Sequence, residues 1–270
     1  MLKFSVVMPV KNGARFIGAA IDSIRSQSHE NWELLVLDAV SEDGSSDIAS
    51  KFAASDPRIT HIRSADDGMY DAIISGFDRT DSDWCSWLNA DDMLTHWAMS
   101  TVADFVAKDD AKWLTGYPGC WDEAGRLRYV RPQGLYPQGM IRRGYFREGV
   151  LGYLQQESMF FSRALLSSLG DDDLGEVRRL KLAGDFLLWR KFAEHAELRT
   201  VPSVLGGFRR HPENMSSQRA DEYRTEVLST NPAAAIPLLT PLFAALFRAA
   251  SARAALKTAA AVDLELINKT

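Results

Sequence analysis

Four apolar runs in the first 110 residues, each followed by a polar turn and a helix-like segment, are the feature that most limits the fold of this chain. The runs lie at residues 4–10, 33–38, 59–63 and 84–88. Apolar residues recur at helical spacing after them, within residues 16–27, 45–54, 69–77 and 95–106. Continuous apolar strands that alternate with helices predict an α/β fold with a mostly parallel sheet covered on both faces.

Polar residues stand just after the predicted strands. Asn12, Asp66 and Asp91 follow three of the four runs, and Asp38 ends the run at 33–38. In open sheets of this kind, ligands bind outside the carboxyl ends of the strands. The sequence therefore predicts a nucleotide-type site at this edge of the sheet.

The segment Asn89-Ala90-Asp91-Asp92 follows the fourth apolar run directly. Adjacent carboxylates at the end of a buried strand are costly unless another group compensates their charge. A divalent cation with oxygen ligands can do so, and diphosphate oxygens can complete its coordination. A solvated turn with Asp92 as a helix N-cap is the alternative interpretation.

Composition narrows the class of protein. The 270 residues are 46% hydrophobic, which fits one large domain or one domain with an appendage. The net charge of −5 gives no global positive field for nucleic-acid binding. Two cysteines without metal spacing predict a reducing, cytoplasmic location. Neither a signal peptide nor a membrane-spanning apolar run is predicted.

The second half of the chain has a different pattern. Strands are predicted at 112–116 and 127–131, joined by a hairpin-type turn at 122–125. The Gly-, Pro- and Arg-rich segment 132–149 has the composition of a mobile loop. Helices are predicted at 162–169 and 182–196, a late strand at 198–208, and an Ala/Leu-rich helical tail from residue 231.

Eight segments in a fixed order resemble a family 2 glycosyltransferase of the GT-A fold. They are SVVMPVKN (5–12), SIRSQ (23–27), ELLVLDAVSEDGSSD (33–47), DDGMYDAIISG (66–76), LNADD (88–92), ESMFFSR (157–163), AGDFLLWR (183–190) and FRRHPENMS (208–216). The resemblance implies a Rossmann-like nucleotide-sugar-binding half at 1–110 and an acceptor-binding half of the same domain at 111–218. A helical C-terminal extension would occupy 219–270.

The resemblance implies transfer of a sugar from a nucleotide donor, with UDP-sugars favoured, to a glycan or lipid-linked acceptor with inversion. Asp91 and Asp92 would bind Mn²⁺ or Mg²⁺, and His211 would supply a third metal ligand or a phosphate hydrogen bond. The implied donor-binding residues are Pro9, Val10, Asn12, Asp38, Asp66, Asn89, Ala90, Asp91 and Arg210. Asn89, Ala39, Val40 and Ile74 depart from the residues common in the family at their positions.

Asp185 matches the catalytic base of the family, and apolar neighbours would raise its pKa. A first-turn Asp favoured by the helix dipole is the alternative. Gly184 replaces an acidic residue often found before the base. Gln156 and Glu157 would face the acceptor, and an ion pair with a nearby arginine is the other interpretation of Glu157.

Two other functions fit parts of the pattern. A catalytically silent binding module of this fold is disfavoured because Asp91, Asp92 and Asp185 are all present. A nucleotidyltransferase is disfavoured because the loop after the first strand lacks repeated glycines. The C-terminal helices could contact the inner face of the cytoplasmic membrane, pack against another subunit, or simply pack on the domain.

Overall fold

The computed structural model describes residues 1–131, 134–231, 245–247, 249–251 and 253. Its strands are β1 (Phe4–Val10), β2 (Trp32–Asp38), β3 (Ile59–Arg63), β4 (Trp84–Trp87), β5 (Met93–Leu94), β6 (Trp113–Thr115), β7 (Gly119–Trp121), β8 (Leu127–Val130), β9 (Phe160–Ser162), β10 (Arg199–Thr200) and β11 (Gly206–Arg209). Its helices are α1 (Ile17–Arg25), α2 (Ser45–Ser55), α3 (Met69–Phe77), α4 (Ala98–Val106), α5 (Gln138–Arg142), α6 (Arg163–Leu166), α7 (Asp171–Arg179), α8 (Gly184–His195), α9 (Met215–Gln218) and α10 (Ala220–Thr230), with a 3₁₀ turn at Gln156–Ser158.

A seven-stranded sheet in the order β10-β6-β9-β4-β1-β2-β3 forms the centre of the fold. Its neighbouring strands are parallel except at β9, which runs antiparallel to β4 and β6. Successive side chains of a strand point to opposite faces. Val7 accordingly packs with the α3 side of the core, whereas Val6 and Met8 pack with the α1 side. The predicted mostly parallel α/β fold with helices on both faces is confirmed.

Strand register places the predicted polar residues at one edge. Val10 pairs with Asp38 across β1 and β2, and Val7 pairs with Trp87 of β4. The chain therefore leaves β1, β2 and β4 at neighbouring points. Helix α3 packs closely on β1, since a Cβ at Gly76 would lie 2.6 Å from Val7. This close approach requires glycine.

A smaller sheet, in the order β5-β11-β7-β8, lies beside the first. It corrects the predicted hairpin, because β8 pairs antiparallel with β7 and not with the strand at 113–115. That strand, β6, belongs to the central sheet, where it pairs with β9 and β10. Gly116 lies where the chain leaves β6 of the central sheet for β7 of the smaller one. A Cβ at this position would lie 2.5 Å from the Ser203 carbonyl oxygen, so there is no room for a side chain.

Two other predictions of the second half are wrong in detail, and one helix was missed. The segment predicted as a mobile loop contains α5 and the buried side chains of Ile141 and Phe146. The predicted strand at 198–208 is two strands, because Pro202 follows β10 and cannot donate to a ladder. Helix α7 was not predicted, since its sequence is mostly charged.

The predicted helical tail lies largely outside the described residues. The described residues at 245–247, 249–251 and 253 are helical, and the Phe247 ring packs edge-on against Phe146 at 6.3 Å. No helix within the described part of the chain is long and apolar enough to cross a membrane.

Candidate active site

A cleft of about 1210 Å³ lies at the carboxyl edge of the central sheet. The predicted site residues that line it are Pro9, Val10, Asn12, Asp66, Asn89, Ala90, Asp91, Asp92, Gln156, Glu157, Asp185 and His211. Asp38 and Arg210 are not among its described lining residues. The sequence-distant carboxylates of Asp91 and Asp185 thus face one cavity.

The loops after β1 and β2 form one wall of the cleft. Asn12 has a φ of 53°, its N–H donates to the Ser41 hydroxyl at 2.9 Å, and its Oδ1 accepts from the Glu42 N–H at 3.0 Å. The Lys11 Nζ donates to the Ala39 carbonyl oxygen at 2.6 Å. These contacts fix the two loops to each other.

Val40 in this wall has a φ of 57°. The left-handed region suits glycine and is unfavourable for a β-branched residue. The surroundings of Val40 thus hold it in a strained backbone conformation. Glycine is common at this position in the family that the sequence resembles. Strain of this kind costs on the order of 1–3 kcal/mol and often accompanies functional sites.

Asp38 lies behind this wall, not in it. Its side chain is buried, and its Oδ1 accepts from the Ser41 N–H at 2.8 Å. Burial raises the pKa of Asp38, but hydrogen bonds from Ser41 and Ser46 outweigh it, and the pKa is lowered. Arg63 Nε lies 3.7 Å from its other oxygen. The structure therefore gives Asp38 the position of an organiser of the turn after β2.

Asp66, which also lines the cleft, follows β3, and its Oδ1 accepts from the Gly68 N–H at 3.0 Å. The Lys181 Nζ donates to the Asp67 carbonyl oxygen. This contact ties the loop before α3 to the segment that leads into α8. Asp66 therefore lies between the loops after β1 and β2 and the segment that leads into α8.

Asp91 and His211 meet in the cleft from distant parts of the chain. The His211 Nε2 lies 2.9 Å from Asp91 Oδ2, which also accepts from the Asn214 side-chain amide at 3.3 Å. The His211 Nδ1 lies 3.0 Å from the Glu213 carboxylate. The imidazole is thus oriented by Glu213 and packed against the Phe16 ring at 4.4 Å between centroids.

Asp92, the residue after Asp91, is fully buried, with 0% of its surface exposed. Its Oδ1 accepts from the Arg209 backbone N–H at 2.8 Å, and its Oδ2 accepts from the Asn89 amide at 3.3 Å. Burial, together with the charges of Asp91 and Glu157, raises the pKa of Asp92 well above its usual value. Asp92 thereby connects the turn after β4 to strand β11.

The predicted metal trio is therefore not gathered around one point. Among the described residues, no group of three or more His, Cys, Asp or Glu side chains is placed to hold an ion. Asp91 and His211 are the members of the trio that touch.

Arg210, which follows β11, differs from the prediction, and Arg209, the last residue of β11, has a different environment. Arg210 is exposed and lies outside the cleft lining, because its backbone pairs with the Trp121 carbonyl at the end of the small sheet. Arg209 is buried, and its guanidinium lies 5.0 Å from the centre of the Phe16 ring. Alternation along β11 turns the first arginine inward and leaves the second in solvent.

Asp185 lies on the other flank of the cleft, in the first turn of α8. Its Oδ1 accepts from the Phe186 N–H at 2.7 Å, and the hydroxyl groups of Tyr70 and Tyr223 face it. Burial outweighs these hydrogen bonds and raises the pKa of Asp185 to about 6. At neutral pH the carboxyl is therefore ionised yet more basic than an exposed aspartate.

Gln156 and Glu157 lie on the 3₁₀ turn between the two flanks. The Gln156 Nε2 donates to the Trp87 carbonyl at 2.6 Å, and its Oε1 accepts weakly from Asn89 at 3.4 Å. Glu157 is buried, which raises its pKa to about 7, and its Oε2 has no hydrogen-bond partner within the described part of the chain. Glu157 thus lines the cleft while this oxygen is shielded from solvent.

Sequence reasoning missed several residues of the cleft. Arg15, Lys181 and Arg219 add positive charge to its lining, and Tyr70 and Tyr223 add hydroxyl groups. Tyr70 lies within one of the eight matched segments, so its position was visible in the sequence. Arg219 and Tyr223 carry no local pattern, because only tertiary packing brings them to the cleft.

Curated relatives of this chain are glycosyltransferases. A PGL/p-HBAD biosynthesis glycosyltransferase of Mycobacterium bovis is 35% identical over 109 residues, which are 40% of this chain and 43% of that protein. Glycosyltransferase GlyA of Streptococcus pneumoniae serotype 4 is 23% identical over 168 residues, 62% of this chain and 24% of the relative. The matched region thus spans less than half of the length of each relative.

Solved structures share the fold. S. aureus TarS 1-349 in complex with UDP-GlcNAc superposes with a TM-score of 0.65 and 16% identity, over 84% of this chain and 64% of that one. The mannosyltransferase PcManGT of Pyrobaculum calidifontis, in complex with GDP-Man and Mn²⁺, gives a TM-score of 0.60 and 18% identity, over 96% and 75% of the two chains. Together with the mostly parallel sheet, these likenesses confirm the GT-A fold.

The description "Glycosyl transferase family 2" belongs to a family model that matches residues 5–169. The match spans β1 to the end of α6, and so includes the loops after β1, β2 and β4 that line the cleft. With the fold and the cleft in agreement, the chain belongs to glycosyl transferase family 2.

Proposed function

We propose that the protein is an inverting, metal-dependent glycosyltransferase that moves a sugar from a nucleotide-diphosphate donor to an acceptor hydroxyl. The observation that supports this most is the shared cleft, with the Asp91–His211 pair on one flank and Asp185 on the other. Inversion needs a leaving group and a general base on opposite sides of the anomeric carbon.

The donor would lie against the loops after β1 and β2. Pro9, Val10 and Asn12 supply the wall for the nucleobase, with Asp66 and Ala90 beside them. A UDP-sugar is the first candidate, since the TarS structure holds UDP-GlcNAc, and a GDP-sugar is the second, since PcManGT holds GDP-Man. Asp38 and Arg210 would act indirectly, because neither lines the cleft.

In this proposal the diphosphate would be contacted by Arg15, Lys181 and Arg219, which are among the cationic side chains that line the cleft. Arg15 is held by Glu123 and Glu213, at 2.5 and 3.2 Å, and Arg219 is held by Glu222. These residues take the role that the sequence had suggested for Arg210.

The residues around Asp91 fit a divalent ion such as Mn²⁺ or Mg²⁺. With the Nδ1–H of His211 donating to the Glu213 carboxylate, the usual partner of a metal-binding histidine, Nε2 presents a lone pair toward Asp91 Oδ2. Two acceptors at this distance repel each other unless they share a cation, either a proton on Nε2 or a metal ion bound by both. Mg²⁺-type ions use one or two protein ligands and fill the rest with water and substrate phosphate.

When bound, the ion would neutralise charge that develops on the departing diphosphate. Asp91 and His211 would hold it, and Asp92 would fix the turn that presents Asp91 by its bond to Arg209. Asn89 would support the same turn through Asp92.

Asp185 would remove the proton of the acceptor hydroxyl. As that oxygen bonds to the anomeric carbon, the bond from the carbon to the diphosphate oxygen breaks, and the proton passes to the Asp185 carboxylate. The pKa of about 6 leaves Asp185 ionised at neutral pH and basic enough to accept it. Gln156 and Glu157 would bind further hydroxyls of a glycan or lipid-linked acceptor.

A donor screen with Mn²⁺ that follows release of free nucleoside diphosphate tests the proposal. General-base loss in Asp185→Asn is expected to lower turnover about 10²–10⁴-fold. Loss of leaving-group stabilisation in Asp91→Ala is expected to lower it about 10²–10³-fold. Asp104→Asn, on the exposed face of α4, is the matched control and should keep parental turnover.

Metal-independent release that survives Asp91→Ala would contradict the leaving-group part of the proposal. Binding of nucleotide sugars without any release would favour a silent binding module. The division of the chain at 110 and 218 and the cytoplasmic location stay predictions. The membrane or self-association role of the tail also stays a prediction, since residues 232–244 and 254–270 lie outside the described part.

A further inference from the structure

Ala183 is the N-cap residue of the helix that carries Asp185, and its methyl group cannot cap the free N–H groups. Its entry segment is instead held by Glu226 of α10. The Glu226 carboxylate accepts from the backbone N–H groups of Lys181, Leu182 and Ala183 at 2.9, 2.8 and 2.9 Å. Successive N–H groups that converge on one anion make a firm backbone anchor.

A second residue of α10 reaches the carboxyl itself. Tyr223 lies three positions before Glu226, on the same helix face, and its hydroxyl faces Asp185 within the cleft. From the other side, the Tyr70 hydroxyl donates to the Leu182 carbonyl at 3.0 Å. The segment before α8 is therefore held between α3 and α10.

Helix α10 is docked firmly on α8. Val227 is buried in a cluster with Ala183 and Phe186. The Arg190 Nη1 donates to the Thr230 carbonyl at 2.8 Å, and Arg224 pairs with Glu148 at 2.6 Å. The first part of the predicted C-terminal extension is thus packed against the catalytic half of the domain.

We propose that α10 belongs to the catalytic apparatus, with Glu226 and Tyr223 as positioning residues that set the place and direction of the Asp185 carboxylate. The inference rests on the proposed role of Asp185 as the general base. Glu226 acts through the backbone of residues 181–183, and Tyr223 acts through a hydrogen bond to the carboxyl. A small displacement of a reacting group can cost about 10²-fold in rate, so such anchoring has a kinetic effect.

The groups that face Asp185 come from several elements. They are Tyr70 of α3, Tyr153, Glu157 of the 3₁₀ turn, and Tyr223 of α10. The Tyr223 hydroxyl donates to its charged form, whereas the charge of Glu157 opposes it. Removing the Tyr223 hydroxyl therefore favours the protonated carboxyl.

Glu226→Gln tests the anchor, because the amide keeps the volume but loses one acceptor and adds a donor beside the N–H groups. We expect kcat to fall about 10- to 100-fold while KM for the nucleotide sugar stays unchanged. Asp221→Asn is the matched control, since it removes the same charge from the same helix at a side chain that is 93% exposed. It should keep parental kcat.

Tyr223→Phe tests the contact between Tyr223 and Asp185. The readout is the pH dependence of kcat/KM, which general destabilisation does not shift. Loss of a donor to the charged form raises the pKa of Asp185, so the acid limb of kcat/KM should move to higher pH by about one unit. This variant also decides the question if Glu226→Gln fails to fold.

Asp185→Asn in the same assay separates the two levels of inference. If it retains turnover, Asp185 is not the base and the positioning role falls with it. If it is inactive while Glu226→Gln and Tyr223→Phe keep parental kcat and pH profiles, the positioning role alone is overturned.

Discussion

Gly184, the first residue of α8, lies directly against the ring of Tyr70. A Cβ at position 184 would lie 2.4 Å from Tyr70 Cγ and 2.5 Å from Cδ1. The ring cannot easily move, because it is buried and its hydroxyl is bonded to the Leu182 carbonyl. We therefore expect Gly184→Ala to destabilise the protein and to disturb Asp185, the next residue.

Gly175 in α7 provides a matched control, since no described heavy atom lies within 4 Å of a Cβ built there. In a helix interior, alanine is more favourable than glycine by about 0.5–1 kcal/mol, so Gly175→Ala should raise stability. Gly184→Ala has at most the same gain but must overpack the Tyr70 ring, at a cost of about 1–3 kcal/mol. The difference between the two variants should thus be at least about 1–3 kcal/mol.

Urea unfolding measures this difference as a shift in midpoint at constant slope. Thermal unfolding should show it as about 2–4 °C per kcal/mol. A double variant, Gly184→Ala with Tyr70→Leu, should lose less stability than the sum of the single variants, because a smaller residue at 70 relieves the overlap. Equal stability of Gly184→Ala and Gly175→Ala would refute the claim that the Tyr70 ring is fixed against α8.

Three further predictions follow from the site and the core. The kcat/KM for transfer should fall about tenfold per pH unit below about pH 6, since Asp185, with a pKa of about 6, must be deprotonated to act. A flat profile of nucleoside diphosphate release from about pH 5 to 8 would contradict this. Cys85 and Cys120 are both buried, and burial raises the pKa of Cys85 to about 11, so the native protein should resist alkylation of its thiols. Mass spectrometry measures the extent of alkylation, and labelling of the native protein as fast as in urea would overturn the expectation. Trp189 stacks on Trp87 and Trp113 at centroid distances of 5.1 and 5.5 Å, so Trp189→Ala should cost about 3–5 kcal/mol in urea unfolding and Trp189→Phe clearly less; equal losses would argue against the stack.

Most candidate residues of the resemblance line one cleft, but their contacts differ from those that the sequence suggested. Asp91 and Asp92 are adjacent in sequence, yet Asp91 contacts His211 whereas Asp92 is fully buried and accepts from the Arg209 N–H of β11. Arg209 at the end of β11 is buried and Arg210, the next residue, is exposed, because neighbouring residues of an extended chain point in opposite directions. Only the partner strand decides which direction is inward.

The sequence alone determined the first half of the central sheet. The strands at Phe4–Val10 and Ile59–Arg63 and the helix at Met69–Phe77 have the predicted bounds. Local signals are sufficient there, because continuous apolar runs and helical spacing are properties of neighbouring residues. The mostly parallel arrangement follows from their alternation.

Tertiary structure decided which side chains share the cleft and what holds them there. The Asp91–His211 pair joins residues 120 positions apart, and Glu226 anchors the entry to α8 from more than 40 positions away. Such contacts leave no local pattern, since they depend on how whole elements dock. Local sequence therefore specified the strands and helices, whereas packing between distant elements assembled the site.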